Sequence, residues 1–286
     1  MSSSPLHWQC VDRALDLSLP AVMGVLNVTA DSFSDGGRFS QPKDALRQAL
    51  RMVEEGAAIV DVGGESTRPG ATPATLDEEL RRVVPVIESL RRESRVFISV
   101  DTSKPEVMRA AIAAGADIIN DVRALRETGA LEAAARTRAG VCLMHMQGEP
   151  RSMQVAPHYD DVLREVGTFL ADRIDACRVA GIVSERLAVD PGFGFGKNTS
   201  HNLELLRGLS RLKLLGPPIL AGLSRKSLLA RLTGRDVADR LAGSVALATV
   251  AVLNGARIVR AHDVAATLDA VKVATSVVQG EAVDGT

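Results

Sequence analysis

Short apolar runs recur along this chain, and almost every one ends in a polar or charged residue. Val22–Leu26 ends at Asn27, Phe97–Val100 at Asp101, and Ile118–Ile119 at Asn120 and Asp121. Ile59–Val62 leads into a Gly-rich loop at Gly63, Val141–Met144 into His145, and Leu187–Val189 into Asp190. Arg257–Val259 leads into Arg260 and His262. Runs this short and this apolar fit buried parallel strands, which have no use for such groups in their interiors. If the strands are parallel, every polar residue falls at one end of one sheet, where α/β folds build their sites.

Longer stretches between the runs have helical period. Leu46, Ala49, Leu50 and Val53 fall at i, i+3, i+4 and i+7, as do Leu80, Val83, Val84 and Ile87. Leu163, Val166, Leu170 and Ile174 come close. Pro42 and Pro105 suit a first helical turn, and Gly56, Gly115 and Gly255 sit where a helix hands over to a strand. Strands are predicted to begin near Ala21, Ile59, Phe97, Ile118, Val141, Leu187, Ile219 and Ile258. Eight such units in roughly 250 residues predict a single (β/α)8 TIM barrel. A doubly wound open sheet competes, but it usually has fewer strands. The predicted division is an N-terminal extension over 1–15, the barrel over 16–280 and a C-terminal tail over 281–286. Ser2–Gln9 and Gly280–Thr286 read as loose ends, with Trp8 in the N-terminal tail.

Composition removes several classes of function. A chain of 286 residues, 46% of them hydrophobic, can bury a sizeable core. A net charge of −1 without a long basic run argues against nucleic-acid binding. No apolar stretch approaches the ~20 residues of a membrane span, and the Ser-rich start lacks the basic flank of a signal peptide. Cys10, Cys142 and Cys177 are odd in number, far apart and without CxxC spacing. Neither a zinc site nor a disulfide framework is indicated, and a reducing cytoplasm fits.

Five motifs carry candidate chemistry. Asn27–Gly37 is polar throughout; it reads either as an ordinary loop of Asx and Ser turns or as a loop placing Asn27 at a bound group. A neutral amide oxygen such as that of Asn27 can join the shell of Mg²⁺. Gly63–Gly70 sets Arg68 among turn formers, where it can fork onto an anion or stack on a ring, or simply pair with Glu65 or Asp77. Asp190–Lys197 has three alternating glycines that let backbone approach a ligand, with Phe195 able to stack on a planar heterocycle. Its spacing departs from a dinucleotide loop. A buried Asp190 can accept two N–H groups from a pteridine or pyrimidine-like edge, or cap the following turn. Ala221–Ser227 opens a helix, where Lys226 and Ser227 suit an anionic ligand. Arg260 and His262 alternate at the end of the last strand, a pair suited to phosphate or pyrophosphate. His145 and Asn254 read as satisfied rim residues, and His7, His158 and His201 carry no signal.

The ordered set Asn27–Gly37, Gly63–Gly70, Asp101–Thr102, Asn120–Asp121, Asp190–Lys197, Ser224–Ser227 and Arg260–Asp263 resembles the dihydropteroate synthases. The likeness runs from about Ala21 to Val277, with Ala30 replacing a proline usual in the family's first loop. It implies a (β/α)8 barrel, usually a homodimer. The implied reaction joins 6-hydroxymethyl-7,8-dihydropterin diphosphate to 4-aminobenzoate with Mg²⁺ and releases pyrophosphate. The resemblance maps the pterin pocket to Asp101, Asn120, Asp190 and Lys226, walled by Met144, Phe195 and Gly222. It maps diphosphate and Mg²⁺ to Asn27, Arg68, Arg260 and His262, with Asn27 on the metal. It maps 4-aminobenzoate to Thr67, Arg68, Pro69, Phe33, Lys226 and Ser227, and sulfonamide sensitivity to the surroundings of Phe33 and Pro69. Asp101, Lys226, Asn27, Arg260 and His262 are the implied catalytic set, working through a dissociative, SN1-like substitution. Two alternatives share much of this pattern: a barrel transferring a methyl group from methyltetrahydrofolate to a corrinoid protein, and a non-catalytic pterin-binding paralogue.

Overall fold

The computed structural model describes residues 6–28, 41–66, 72–149 and 153–280. Two short strands come first, β1 (His7–Cys10) and β2 (Arg13–Asp16), paired antiparallel. Eight parallel strands follow: β3 (Ala21–Asn27), β4 (Ile59–Gly63), β5 (Phe97–Asp101), β6 (Ile118–Asp121), β7 (Gly140–Met144), β8 (Leu187–Asp190), β9 (Leu220–Gly222) and β10 (Ile258–Ala261). They hydrogen-bond in the order β8-β7-β6-β5-β4-β3-β10-β9, and a parallel bridge between Val189 and Ile219 closes the ring. The closed (β/α)8 barrel is the expected architecture. The strands begin where the apolar runs begin, with β7 and β9 displaced by one residue from the predicted starts.

The connecting segments are helical for local reasons. Helix α1 (Gln41–Glu54) lies between β3 and β4, and α2 (Leu76–Glu93) between β4 and β5. Thr75 caps α2 through a capping box with Glu78, and acidic residues fill its first turn while Arg91 and Arg92 fill its last. Pro105 opens α3 (Pro105–Ala113), as its missing N–H allows. The remaining helices are α4 (Ala130–Ala135), α5 (Val162–Val179), α6 (Thr199–Arg207), α7 (Ser227–Thr233), α8 (Leu241–Leu253) and α9 (Val264–Gln279).

Residue parity along the strands divides the interior into layers. Val60, Val62, Ile98, Val100, Val141 and Val189 face outward into a core shared with the helices. Met23, Ile59, Ile118, Cys142, Ala188, Leu220 and Ile258 form the lowest inward layer. Two residues further along, the inward positions are Val25, Asp61, Ser99, Asn120, Met144, Asp190, Gly222 and Arg260. The barrel interior therefore changes from apolar to polar within one step of two residues.

The apolar end is closed by the β1–β2 hairpin, which corrects the expectation of a loose N-terminal tail reaching Gln9. Trp8 is fully buried, its Nε1 donates to Arg186 O at 2.8 Å, and Cys10, Leu15 and Leu17 pack with it against the lowest layer. The stretch read as an extension over 1–15 thus contributes, through its described residues, to the barrel's own core. Residues 281–286 lie outside the described residues.

Candidate active site

The polar residues at the strand ends meet because the register aligns them. Asn27 pairs with Gly63, Gly63 with Asp101, Asp101 with Asn120, Met144 with Asp190, and Gly222 with Arg260. At their centre stands Arg260. Its Nε donates to Asp61 Oδ2 at 2.6 Å and its Nη2 to Asp101 Oδ2 at 2.8 Å. Burial opposes the guanidinium charge, but Asp61 and Asp101 outweigh it and hold the group above its ordinary range. Burial pushes Asp101 up to about 7, with Arg260 working against it and the like charges of Asp61 and Asp121 adding to it.

Asp61 is the residue that sequence reasoning missed. It is fully buried, also accepts from Asn120 Nδ2 at 3.1 Å, and has no partner for Oδ1 among the described residues. It was hidden inside the run Ile59–Val62. The available signal was that it is the one carboxylate inside an apolar run, at the same parity as Gly63.

Beside Arg260 the barrel mouth also holds Asp190, Gly222 and Lys226. Asp190 Oδ1 accepts from Gly192 N at 2.7 Å, and its backbone carbonyl accepts from His145 N at 2.9 Å. Burial raises the Asp190 carboxyl, and Lys226 counteracts this. Lys226 donates from Nζ to Phe193 O and stands 4.7 Å from the centre of the Phe195 ring. Burial lowers it to about 8, opposed by Asp190. A Cβ added at Gly222 would lie 3.8 Å from Lys226 Nζ and 3.9 Å from Asp190 Oδ2. The missing side chain therefore leaves a slot between a buried carboxylate and a half-buried ammonium, with Phe195 beside the ammonium and packed against the apolar cluster Val122, Met144, Met146 and Met153.

The two last motifs meet at the rim. Ser224 Oγ lies 3.0 Å from His262 Nδ1 and accepts from His262 N at 3.2 Å, while Arg225 pairs with Asp263. Ser227 is the first residue of α7. Asn27 ends β3 beside Asp101: a Cβ at Gly63 would lie 3.9 Å from Asn27 Oδ1 and 3.8 Å from Asp101 Oδ2. Among the described residues no group of three or more His, Cys, Asp or Glu side chains is arranged to hold a metal ion. One amide oxygen beside one carboxylate suits a Mg²⁺ that draws its other ligands from water and a substrate's own oxygens.

Some expected residues play other parts or cannot be placed. Asp121 is a turn cap, accepting from Arg123 N at 2.8 Å and Leu125 N at 2.7 Å, while its neighbour Asn120 faces inward. Glu65, a candidate partner for Arg68, is bonded to Lys104, which also donates to Glu79 at 2.6 Å. Phe33, Thr67, Arg68, Pro69 and Ala30 lie outside the described residues. A cavity of about 670 Å³ runs from Asp101 past Lys104 toward Arg123.

Known proteins resemble this chain in sequence and fold. The family described as pterin binding enzyme matches residues 23–262. The dihydropteroate synthase of Escherichia coli strain K12 is 54% identical over 260 residues, which make up 91% of this chain and 92% of that protein. The solved dihydropteroate synthase of Xanthomonas albilineans with 4-aminobenzoic acid superposes with a TM-score of 0.91 at 55% identity, covering 96% of this chain and 98% of that one. That of Yersinia pestis with a sulfonamide drug superposes with a TM-score of 0.91 at 49% identity, covering 96% and 99%.

Proposed function

Because this chain belongs to the dihydropteroate synthases, the pterin-binding transferases of folate biosynthesis, we propose how its barrel rim performs their reaction. The reaction condenses 6-hydroxymethyl-7,8-dihydropterin diphosphate with 4-aminobenzoate, giving 7,8-dihydropteroate and pyrophosphate. The observation that carries the residue assignment is the Gly222 slot, with Asp190 Oδ2 and Lys226 Nζ on its flanks. A flat heterocycle bearing adjacent N–H donors and a ring acceptor complements that pair. Asp190 accepts the donors, Lys226 donates to the acceptor, Asn120 supplies an amide, and Met144 and Phe195 cover the ring faces. The diphosphate on the pterin's methylene then points toward Asn27, Arg260 and His262.

Pyrophosphate leaves when its charge is neutralised. The C–O bond breaks with its electron pair going to the leaving oxygen, and Arg260 and His262 offer N–H groups to that developing charge. Mg²⁺ held by Asn27 and the diphosphate oxygens would add Lewis-acid neutralisation. The methylene left behind is a cation conjugated with the pterin ring, and the Asp101 carboxylate stabilises it. The amine of 4-aminobenzoate forms the C–N bond and sheds a proton. Its low basicity means that no strong base is needed for this SN1-like step. Ser227 and Lys226 receive 4-aminobenzoate, together with Phe33, Thr67, Arg68 and Pro69.

Family membership, with the sulfonamide-bound Yersinia pestis relative, supports reading the protein as a sulfonamide target. A homodimer fits the exposed Val250 and Leu253 on α8 and Val273 and Val277 on α9, and a cytoplasmic location fits three buried free cysteines. The deciding experiment is pyrophosphate release from the purified protein with pterin diphosphate and Mg²⁺, with and without 4-aminobenzoate. Release that depends on 4-aminobenzoate and yields dihydropteroate supports the assignment. Pterin binding without release would return the chain to the non-catalytic reading.

A further inference from the structure

One buried cation has no part in the chemistry above. Lys197 closes the loop that begins at Asp190 and is 2% exposed. Its Nζ donates to Gly192 O at 3.0 Å and Phe195 O at 3.1 Å and meets His145 Nδ1 at 2.9 Å. Three acceptors around one nitrogen are the complement of an ammonium's three N–H groups. Burial, with the charge of Lys197 adding to it, pushes His145 down to about 2. Its imidazole is therefore neutral and accepts at Nδ1, which assigns the Nε2–H tautomer. Burial also pushes Lys197 down to about 7, opposed by Asp190, so its ammonium is present in the acid range where a raised Asp190 titrates.

These contacts join two elements. His145 follows β7, whereas Gly192 and Phe195 belong to the loop after β8. The loop is seated without slack: a Cβ at Gly192 would lie 1.8 Å from His145 O, and one at Gly196 2.3 Å from Gln147 O. Tyr159 Oη donates to Gly196 O at 2.9 Å. The same loop carries Phe195, which faces Lys226, and Gly192 N, which bonds Asp190. Lys226, Arg260 and Lys197 all act to lower the raised Asp190 carboxyl.

We propose that Lys197, charged and held by neutral His145, is a positioning residue for pterin recognition. It fixes the Asp190–Phe195 loop against β7 and, after Lys226 and Arg260, adds positive charge that favours the carboxylate form of Asp190. This role rests on the pterin reading of the Gly222 slot. The titratable and charged groups facing Lys197, His145 and Asp190 are Lys226 and Arg260 at the barrel mouth, Cys142 on β7, and Arg126, Tyr159 and His201 on the outer side.

The test compares the full-length wild type with Lys197→Met and Lys197→Gln. Calorimetry gives the Kd of 6-hydroxymethylpterin from about pH 5 to 8, bracketing a raised carboxyl, and steady-state kinetics gives the KM for 4-aminobenzoate. Lys197→Met should raise the pterin Kd by about tenfold, the scale of a lost charge-assisted bond, and leave the KM for 4-aminobenzoate nearly unchanged. The acid limb of pterin binding should move to higher pH, because Asp190 without its cation is easier to protonate. Lys197→Gln keeps two N–H donors without the charge, so it should show the limb shift with a smaller loss of affinity. An unmoved limb in the glutamine variant, or equal losses for both substrates, would overturn the role. Should the methionine variant fail to fold, the glutamine variant decides. A wild type that binds no pterin would sink the pterin reading itself, before any variant is compared.

Discussion

Asp101 stands between a cation that favours its charge, Arg260, and three carboxylates that oppose it, Asp61, Asp121 and Glu79. With the group raised to about 7 by burial, the anionic form is present above that pH and is lost as pH falls through it. A step that needs the anion therefore gives kcat/KM an acid limb near 7, below which activity declines. Asp101→Asn should remove that limb and lower kcat by roughly a hundredfold or more, the scale of one preorganised electrostatic partner. Pterin affinity should change little; equal losses in kcat and affinity would reduce Asp101 to a binding role. Asp61→Asn tests the network from the other side. It removes a like charge from beside Asp101 and frees Arg260 to favour Asp101 alone, so both effects point the same way. The acid limb should move to lower pH, and a limb that moves upward would contradict this account of the pair.

The β8–α6 loop shows how much an element depends on glycine where backbone meets backbone. Gly192 has φ +68, and a Cβ there would strike His145 O at 1.8 Å. Gly181 has φ +89 but no atom within 4 Å of its Cβ position. Both substitutions to alanine carry the left-handed penalty of about 1–2 kcal/mol, and only the first adds the clash. Gly192→Ala should therefore lower Tm well beyond Gly181→Ala and should weaken pterin binding, since Gly192 N is a ligand of Asp190. Equal losses of Tm would mean that the loop yields and is not seated on β7.

Across the whole molecule, stability and chemistry occupy opposite ends of one barrel. The hairpin end is apolar and closed by Trp8; the mouth holds buried charges that burial itself disfavours. Trp8→Ala should cost about 3–5 kcal/mol, as removal of a buried aromatic does, read as a fall in Tm or denaturant midpoint. Below its unfolding temperature the variant should keep a near-normal kcat/KM. A stable variant with impaired turnover would instead tie the hairpin to the site.

The positions of strands and helices were legible in the sequence because period is a short-range property. Alternation, caps and apolar runs are set by neighbours within a few residues, so the strand starts fell within one residue of those observed. The gathering of Asn27, Asp101, Asn120, Asp190, Lys226, Arg260 and His262 at one end followed from the same pattern once the strands were taken as parallel. What each group bonds was not legible. Arg260 suggested a phosphate ligand but rests between Asp61 and Asp101, partners 199 and 159 residues away in the chain. Trp8 looked like tail and closes the barrel by reaching Arg186, 178 residues away. Asp61 stood out only as a carboxylate inside an apolar run and Lys197 only as the end of a Gly-rich motif, because what each side chain faces depends on the strands and loops that flank it. That neighbourhood exists only after the eighth strand closes on the first seven, when desolvation and charge pairing choose the partners.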